Sequence, residues 1–155
     1  MSCRMKKWII KHLFWISVLF YAQSLFAQPL LPNGADKAKW NITLSRGKMT
    51  LTGICIVKRT NEGLVGSVVN EFGIHAFDMV GKGRKLKIKN AMSMMNKWYI
   101  RKLLQNDLRI LTSTEEINIG KKRILDTSDN AIRLENKKYN IVYQFERIIQ
   151  DDTLK

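Results

Sequence analysis

A period of two most constrains this fold: five short segments between Trp40 and Lys89 carry it, broken by glycine-bearing turns. Side chains along a strand alternate between two faces, so such a pattern sets an apolar row against a core and a polar row against water. Trp40, Ile42 and Leu44 alternate with Asn41, Thr43 and Ser45 before Arg46-Gly47 turns the chain. Met49, Leu51, Gly53, Cys55 and Val57 share one face of the next segment. Its other face opens with Thr50 and Thr52 and becomes apolar at Ile54 and Ile56, which predicts cover on both sides there. Asn61-Glu62-Gly63 leads into residues 64–69, and Asn70-Glu71-Phe72-Gly73 into residues 74–80. Gly81-Lys82-Gly83 leads into a strand where Leu86 and Ile88 alternate with Lys85, Lys87 and Lys89. Parallel neighbours need crossover connections of a dozen or more residues. None fits here, so the segments predict an antiparallel meander.

The period changes once. Ile100, Leu104, Leu108 and Leu111 recur at helical spacing after Asn96, the expected N-cap, with Leu103 widening the stripe. Arg101, Lys102, Gln105, Asn106 and Arg109 fall away from it. Strand periodicity returns at Ile117/Ile119, at Ile132/Leu134, and along Tyr139, Ile141, Tyr143 and Phe145. The fold class expected is β-rich α+β: a curved antiparallel sheet with one main helix packed across it. Residues 39–149 form the single domain, 28–38 a leader and 150–155 a polar tail.

The N-terminus reads as a processing signal. Arg4, Lys6, Lys7 and Lys11 precede the apolar run of residues 13–22, and a small residue, Ala27, closes the segment. That is the layout of a secretory signal peptide, residues 1–27, cut after Ala27. An uncleaved anchor fits less well, because a spanning helix needs about 20 apolar residues and Lys11-His12 and Gln23-Ser24 interrupt this one. Cleavage removes Cys3 and four of the +14 formal charges, leaving Cys55 as the single thiol and excluding an intramolecular disulfide. No cysteine stands directly after the cut, where Gln28-Pro29 opens the chain, so a soluble exported protein, periplasmic in a bacterium, is expected rather than a lipid-anchored one.

Little in the remaining chain points to catalysis. His75 is the sole histidine past the signal, and Asp78 stands three residues along the same strand, where odd spacing predicts opposite faces. A Cys55–His75 pair across strands is the nucleophilic alternative; a buried, inert thiol is the plainer reading. One cysteine and one histidine do not fill a zinc site without carboxylates, and no glycine-rich phosphate loop precedes a helix. A non-catalytic protein with no cofactor and no metal is therefore expected. Lys82, Arg84, Lys85, Lys87 and Lys89 form one basic cluster and Lys121-Lys122-Arg123 another. These suit an anionic membrane surface. The absence of interleaved aromatics argues against nucleic acid as a partner. Met92, Met94 and Met95 supply flexible thioethers of the kind that accept variable apolar ligands.

Asn70-Glu71-Phe72-Gly73-Ile74, Phe77-Asp78, Met95-Asn96-Lys97-Trp98 and the run Leu104 with Asp107-Leu108-Arg109-Ile110-Leu111 carry a resemblance. They resemble small exported envelope proteins of Bacteroidetes-type bacteria, which are similar to the lipoprotein-localisation (Lol) carrier and receptor superfamily. The likeness covers about residues 45–111. It implies an unclosed antiparallel half-barrel whose concave side is covered by helix and holds an apolar cavity for lipid or lipoprotein acyl chains. On that expectation Ile54, Ile56, Leu64, Phe72, Phe77, Met79, Met95 and Leu104 are the candidates for lining the cavity. Lys85, Lys87 and Lys89 are the candidates for contact with headgroups or a protein partner. The alternative is a structural or interaction module of the envelope that docks through its basic face.

Overall fold

The computed structural model of the protein describes residues 29–32, 34–113 and 117–149. The expected signal peptide and polar tail lie outside the described residues. The strands are β1 (Lys37–Arg46), β2 (Met49–Thr60), β3 (Gly63–Asn70), β4 (His75–Lys82) and β5 (Lys85–Lys89), followed by helix α1 (Trp98–Thr112). After α1 come β6 (Arg123–Thr127), β7 (Ala131–Asn136) and β8 (Ile141–Arg147). Among the described residues these form one curled, eight-stranded antiparallel sheet in the order β5-β4-β3-β2-β1-β8-β7-β6, an unclosed half-barrel crossed by one helix. The β-rich α+β expectation holds.

Local chemistry sets the hairpins. Gly47 and Gly83 each open a two-residue turn at φ +59° and +55°, conformations that cost a side-chain-bearing residue but suit glycine in the primed turns of tight hairpins. The second of these turns is Gly83-Arg84, one residue later than the sequence suggests. Gly81 therefore sits inside β4, opposite Leu64 and Leu86. Gly66 has another role: a Cβ there would lie 2.8 Å from the Met79 methyl, so its bareness lets Met79 pack over β3.

Parity then builds the core. Trp40 and Ile42 of β1, Cys55 and Val57 of β2, Val68 of β3, Phe77 and Met79 of β4, and Leu86 and Ile88 of β5 share the concave face and are buried. Leu134, Tyr143 and Phe145 continue that face on the other half of the sheet. The leader is part of this core: Leu30 and Leu31 are fully buried, and β1 already begins at Lys37. The Trp40 indole N–H donates to the Leu30 carbonyl at 2.9 Å, and the Leu30 N–H donates to the Leu111 carbonyl at 3.1 Å. The segment thus ties β1 to the last turn of α1, where carbonyls lack intrahelical donors.

The helix starts without the expected cap. Lys97, not Asn96, occupies the N-cap, and no side chain bonds the free N–H groups there. Packing rather than capping holds α1. Its key contact is polar: the carboxylate of Asp107, fully buried, accepts from Arg123 Nε at 2.7 Å, Asn136 Nδ2 at 2.9 Å and the Tyr143 hydroxyl at 3.0 Å. Three strands, β6, β7 and β8, grip one side chain of the helix. Tyr143 is held protonated by this setting, because burial and the adjoining carboxylate both push its pKa well above the usual phenol value.

Several sequence expectations change. Ile117 and Ile119 lie in irregular chain, the strand of that region is β6 a few residues later, and Tyr139 belongs to the turn before β8. Ile54 is 42% exposed on the convex face, so the expected two-sided cover of β2 is absent at that position. Since removing one partner of a buried ion pair costs about 3–5 kcal/mol, Asp107→Ala should lower the urea-unfolding free energy by that much. Asp107→Asn should cost nearly as much, because its amide would face the Asn136 and Arg123 donors.

Candidate functional site

Of the eight lining candidates, Met95 and Leu104 alone meet at a pocket on the concave face. It has a volume of about 140 Å³ and lies between the β1–β2 hairpin, the 92–95 segment and the first half of α1. Leu44, Leu51, Ile100, Leu103, Leu104 and Ile141 form its aliphatic wall, Met49, Met92, Met94 and Met95 its thioether wall, and Arg46 and Thr50 of the hairpin complete the lining. The Met92 N–H donates to the carbonyl of Ala76 at 2.8 Å, which fixes the methionine segment to β4. Met49 and Met94 are 61% and 62% exposed and make the mouth. The methionine cluster noted in the sequence is thus the pocket's own material. Met49 joins it through the hairpin, which spacing alone could not have shown.

The other six candidates lie elsewhere. Leu64, Phe77 and Met79 are buried in the closed core. Ile54 and Ile56 point to the convex face, the reverse of the pocket, because β2 buries its odd-numbered residues there. Phe72 is 79% exposed at the tip of the β3–β4 turn, where the Asn70 side chain accepts from the N–H groups of Phe72 and Ile74. A turn held from inside by its asparagine leaves its aromatic outside.

A second concavity, about 600 Å³, runs between β5 and the outward face of α1. Its walls carry Arg84, Lys85, Lys87 and Lys89 from the hairpin and Arg101, Lys102 and Arg109 from the helix, with Trp98 at one end and Gln105 and Asn106 along the helix wall. No carboxylate lines it. The first turn of α1 has no acid either, so the positive end of the helix dipole adds to the field. The three lysines expected at a headgroup or partner contact do share this groove. What the sequence concealed is that folding brings helix cations and an exposed indole to the same place.

The titratable groups on β4 depart from expectation. A bulge between Val68 and Val69 leaves Ala76 without a partner and shifts the parity of β4. His75 and Asp78 therefore share a face, with Nε2 and Oδ1 2.8 Å apart. Burial alone would raise the Asp78 pKa, but hydrogen bonds from His75, Asn90 and Ser67 outweigh it and hold the carboxyl below its usual range. Ser67, Asp78 and His75 stand with the carboxylate in the middle. Activating a serine needs the imidazole there, so this trio cannot work as a nucleophilic relay. Cys55 faces the core, away from His75, and burial pushes its thiol up to about 12. Among the described residues no group of three His, Cys, Asp or Glu side chains is placed to hold a metal, and no helix is long and apolar enough to cross a membrane.

Compared with known proteins, the chain matches no protein-family model and no curated sequence.

Two measurements follow from these groups. Cys55 of the folded protein should resist thiol reagents at pH 8 and label only at the rate of global opening, checked by the mass shift of its peptide with and without urea. Asp78 has a depressed folded pKa, so its stabilisation is present above the unfolded value of about 3.9 and is lost as pH falls through the folded one. Asp78→Asn should therefore cost under about 1 kcal/mol at pH 7, because the pair is partly exposed. The gap to the parent protein should narrow in urea titrations as pH falls below about 3.9, the unfolded value.

Proposed function

We propose that this protein binds the end of a lipid or lipoprotein acyl chain, as a non-catalytic envelope carrier exported through its N-terminal signal. The observation that carries the reading is the methionine-lined pocket: an apolar cavity on the concave side of a half-barrel, walled by the helix and open at Met49 and Met94. The resemblance to the lipoprotein-localisation superfamily rests on the sequence motifs within about residues 45–111, and an unclosed half-barrel is the architecture it implies.

Size decides what enters. At about 140 Å³ the pocket is below the roughly 300–1,000 Å³ of drug-sized ligand sites. It is close to the roughly 150 Å³ apolar cavity that takes one benzene. The closed state therefore takes the terminal few methylenes, each contributing about 0.8 kcal/mol. Longer insertion requires the thioethers to move aside, which their three rotatable bonds allow. Binding of this size is weak enough to reverse, as a carrier requires.

Native mass spectrometry of the protein from envelope extract should show added mass matching acyl lipid, and a fluorescent fatty acid should bind the delipidated protein. Leu103→Trp, filling the pocket from a half-buried position, should weaken that probe at least tenfold while the urea midpoint stays near the parent value. A clean apo mass and no probe uptake would remove the proposal.

A further inference from the structure

We propose that the groove between β5 and α1 is a docking site for an extended acidic peptide, which adds to the sheet as a ninth strand beside β5. The inference is independent of what fills the methionine pocket, which lies on the opposite side of the helix.

The backbone comes first. β5 ends the sheet and pairs on one side only, with β4. The tight turn closes with the pair Lys82–Lys85, and hydrogen-bonded pairs alternate from there, so Lys85, Lys87 and Lys89 spend their backbone groups on β4. The N–H and C=O groups of Leu86 and Ile88 then point to the open edge, along the groove floor. An incoming strand finds those donors and acceptors already spaced for it.

Charge selects the occupant. Lys85, Lys87 and Lys89 stand about 7 Å apart on one side, given a strand rise of about 3.4 Å per residue. Arg101, Lys102 and Arg109 stand on the other. None of these six pairs with a carboxylate among the described residues. About one ionisable side chain in three of this protein is acidic, so a groove drawn at random from its surface would hold about two acids. Edge lysines alone are a common guard against unwanted strand pairing. Such a guard does not need cations on the helix opposite. A strand alternates its side chains between two faces, and here both faces meet positive charge. The fitting partner is therefore acidic at successive positions rather than at alternate ones. A flat bilayer does not reach the floor of a groove, and base stacking has Trp98 alone to use, so peptide is favoured over membrane and over nucleic acid.

The probe is a fluorescein-labelled octaglutamate, read by anisotropy against the protein at low salt. Binding is expected, weakened at least tenfold by the exposed double substitution Lys87→Glu with Lys102→Glu. Alternate N-methylation leaves one peptide edge intact and should preserve binding; full N-methylation keeps every charge, removes all donors and should abolish it. Equal binding of the fully methylated peptide overturns strand addition. So does competition by an oligothymidylate or by phosphatidylglycerol vesicles as strong as that by unlabelled peptide, and so does no binding at all. The double variant should still take up the fatty-acid probe, so failure here and failure of the lipid reading are separately visible.

Discussion

One buried carboxylate organises this molecule. An amphipathic helix on a curved apolar sheet is free to slide and roll, since hydrophobic contact has no direction. Asp107 removes that freedom. Its two oxygens accept from a guanidinium, an amide and a phenol on three strands, which sets both the azimuth and the axial position of α1. Residues are about 100° apart around a helix, so a roll by one residue would take Asp107 off its partners, and a roll by two would exchange the pocket wall for the groove wall. Ile100, Leu103 and Leu104 face the methionines because Asp107 faces Asn136. Arg101, Lys102 and Arg109 face β5 for the same reason.

That contact also accounts for the sheet remaining open. The half-barrel has edges at β5 and β6, and α1 packs on the first while Arg123 of β6 reaches its carboxylate from the second. The helix spans the mouth of the half-barrel between those edges, and the groove beside it leaves the outer edge of β5 uncovered. A closed barrel would fill its interior with side chains; this one keeps a concavity under the first half of the helix, where the polar grip is absent and four methionines supply adaptable packing.

How much of this was legible in the sequence depends on the length scale of each cause. Hairpins with a period of two and a glycine turn declare themselves locally, and so does the stripe Ile100, Leu104, Leu108 and Leu111. The bulge at Ala76 does not: one extra residue in β4 reverses every parity argument upstream of it, which is why His75 and Asp78 meet against expectation. Ile54 and Ile56 look like core because they are apolar, but the burial of Cys55 and Val57 assigns them to the other face. Asp107 was within reach. It stands seven residues after Ile100 and three after Leu104, on the apolar stripe, and Asn136 follows Ile132 and Leu134 in the same parity. Two polar residues in core positions on separate elements are a pair awaiting recognition, since buried polar groups need partners.

The two concavities make opposite demands on the helix between them. An apolar pocket gains from thioether mobility, so the side chains before α1 have to yield while their backbone stays bonded to β4. The basic groove needs α1 to stay fixed, because a strand docked on β5 meets the helix cations only at one separation. The fold separates these demands along the chain: the methionines precede the helix and bond to it through no polar side chain, while the anchoring carboxylate lies ten residues in. Rotation of the Met92, Met94 and Met95 side chains can therefore open the pocket without shifting the wall that carries Lys102 and Arg109. A helix pinned by packing alone would couple the two sites, whereas one pinned by a directional contact at its far half keeps them independent.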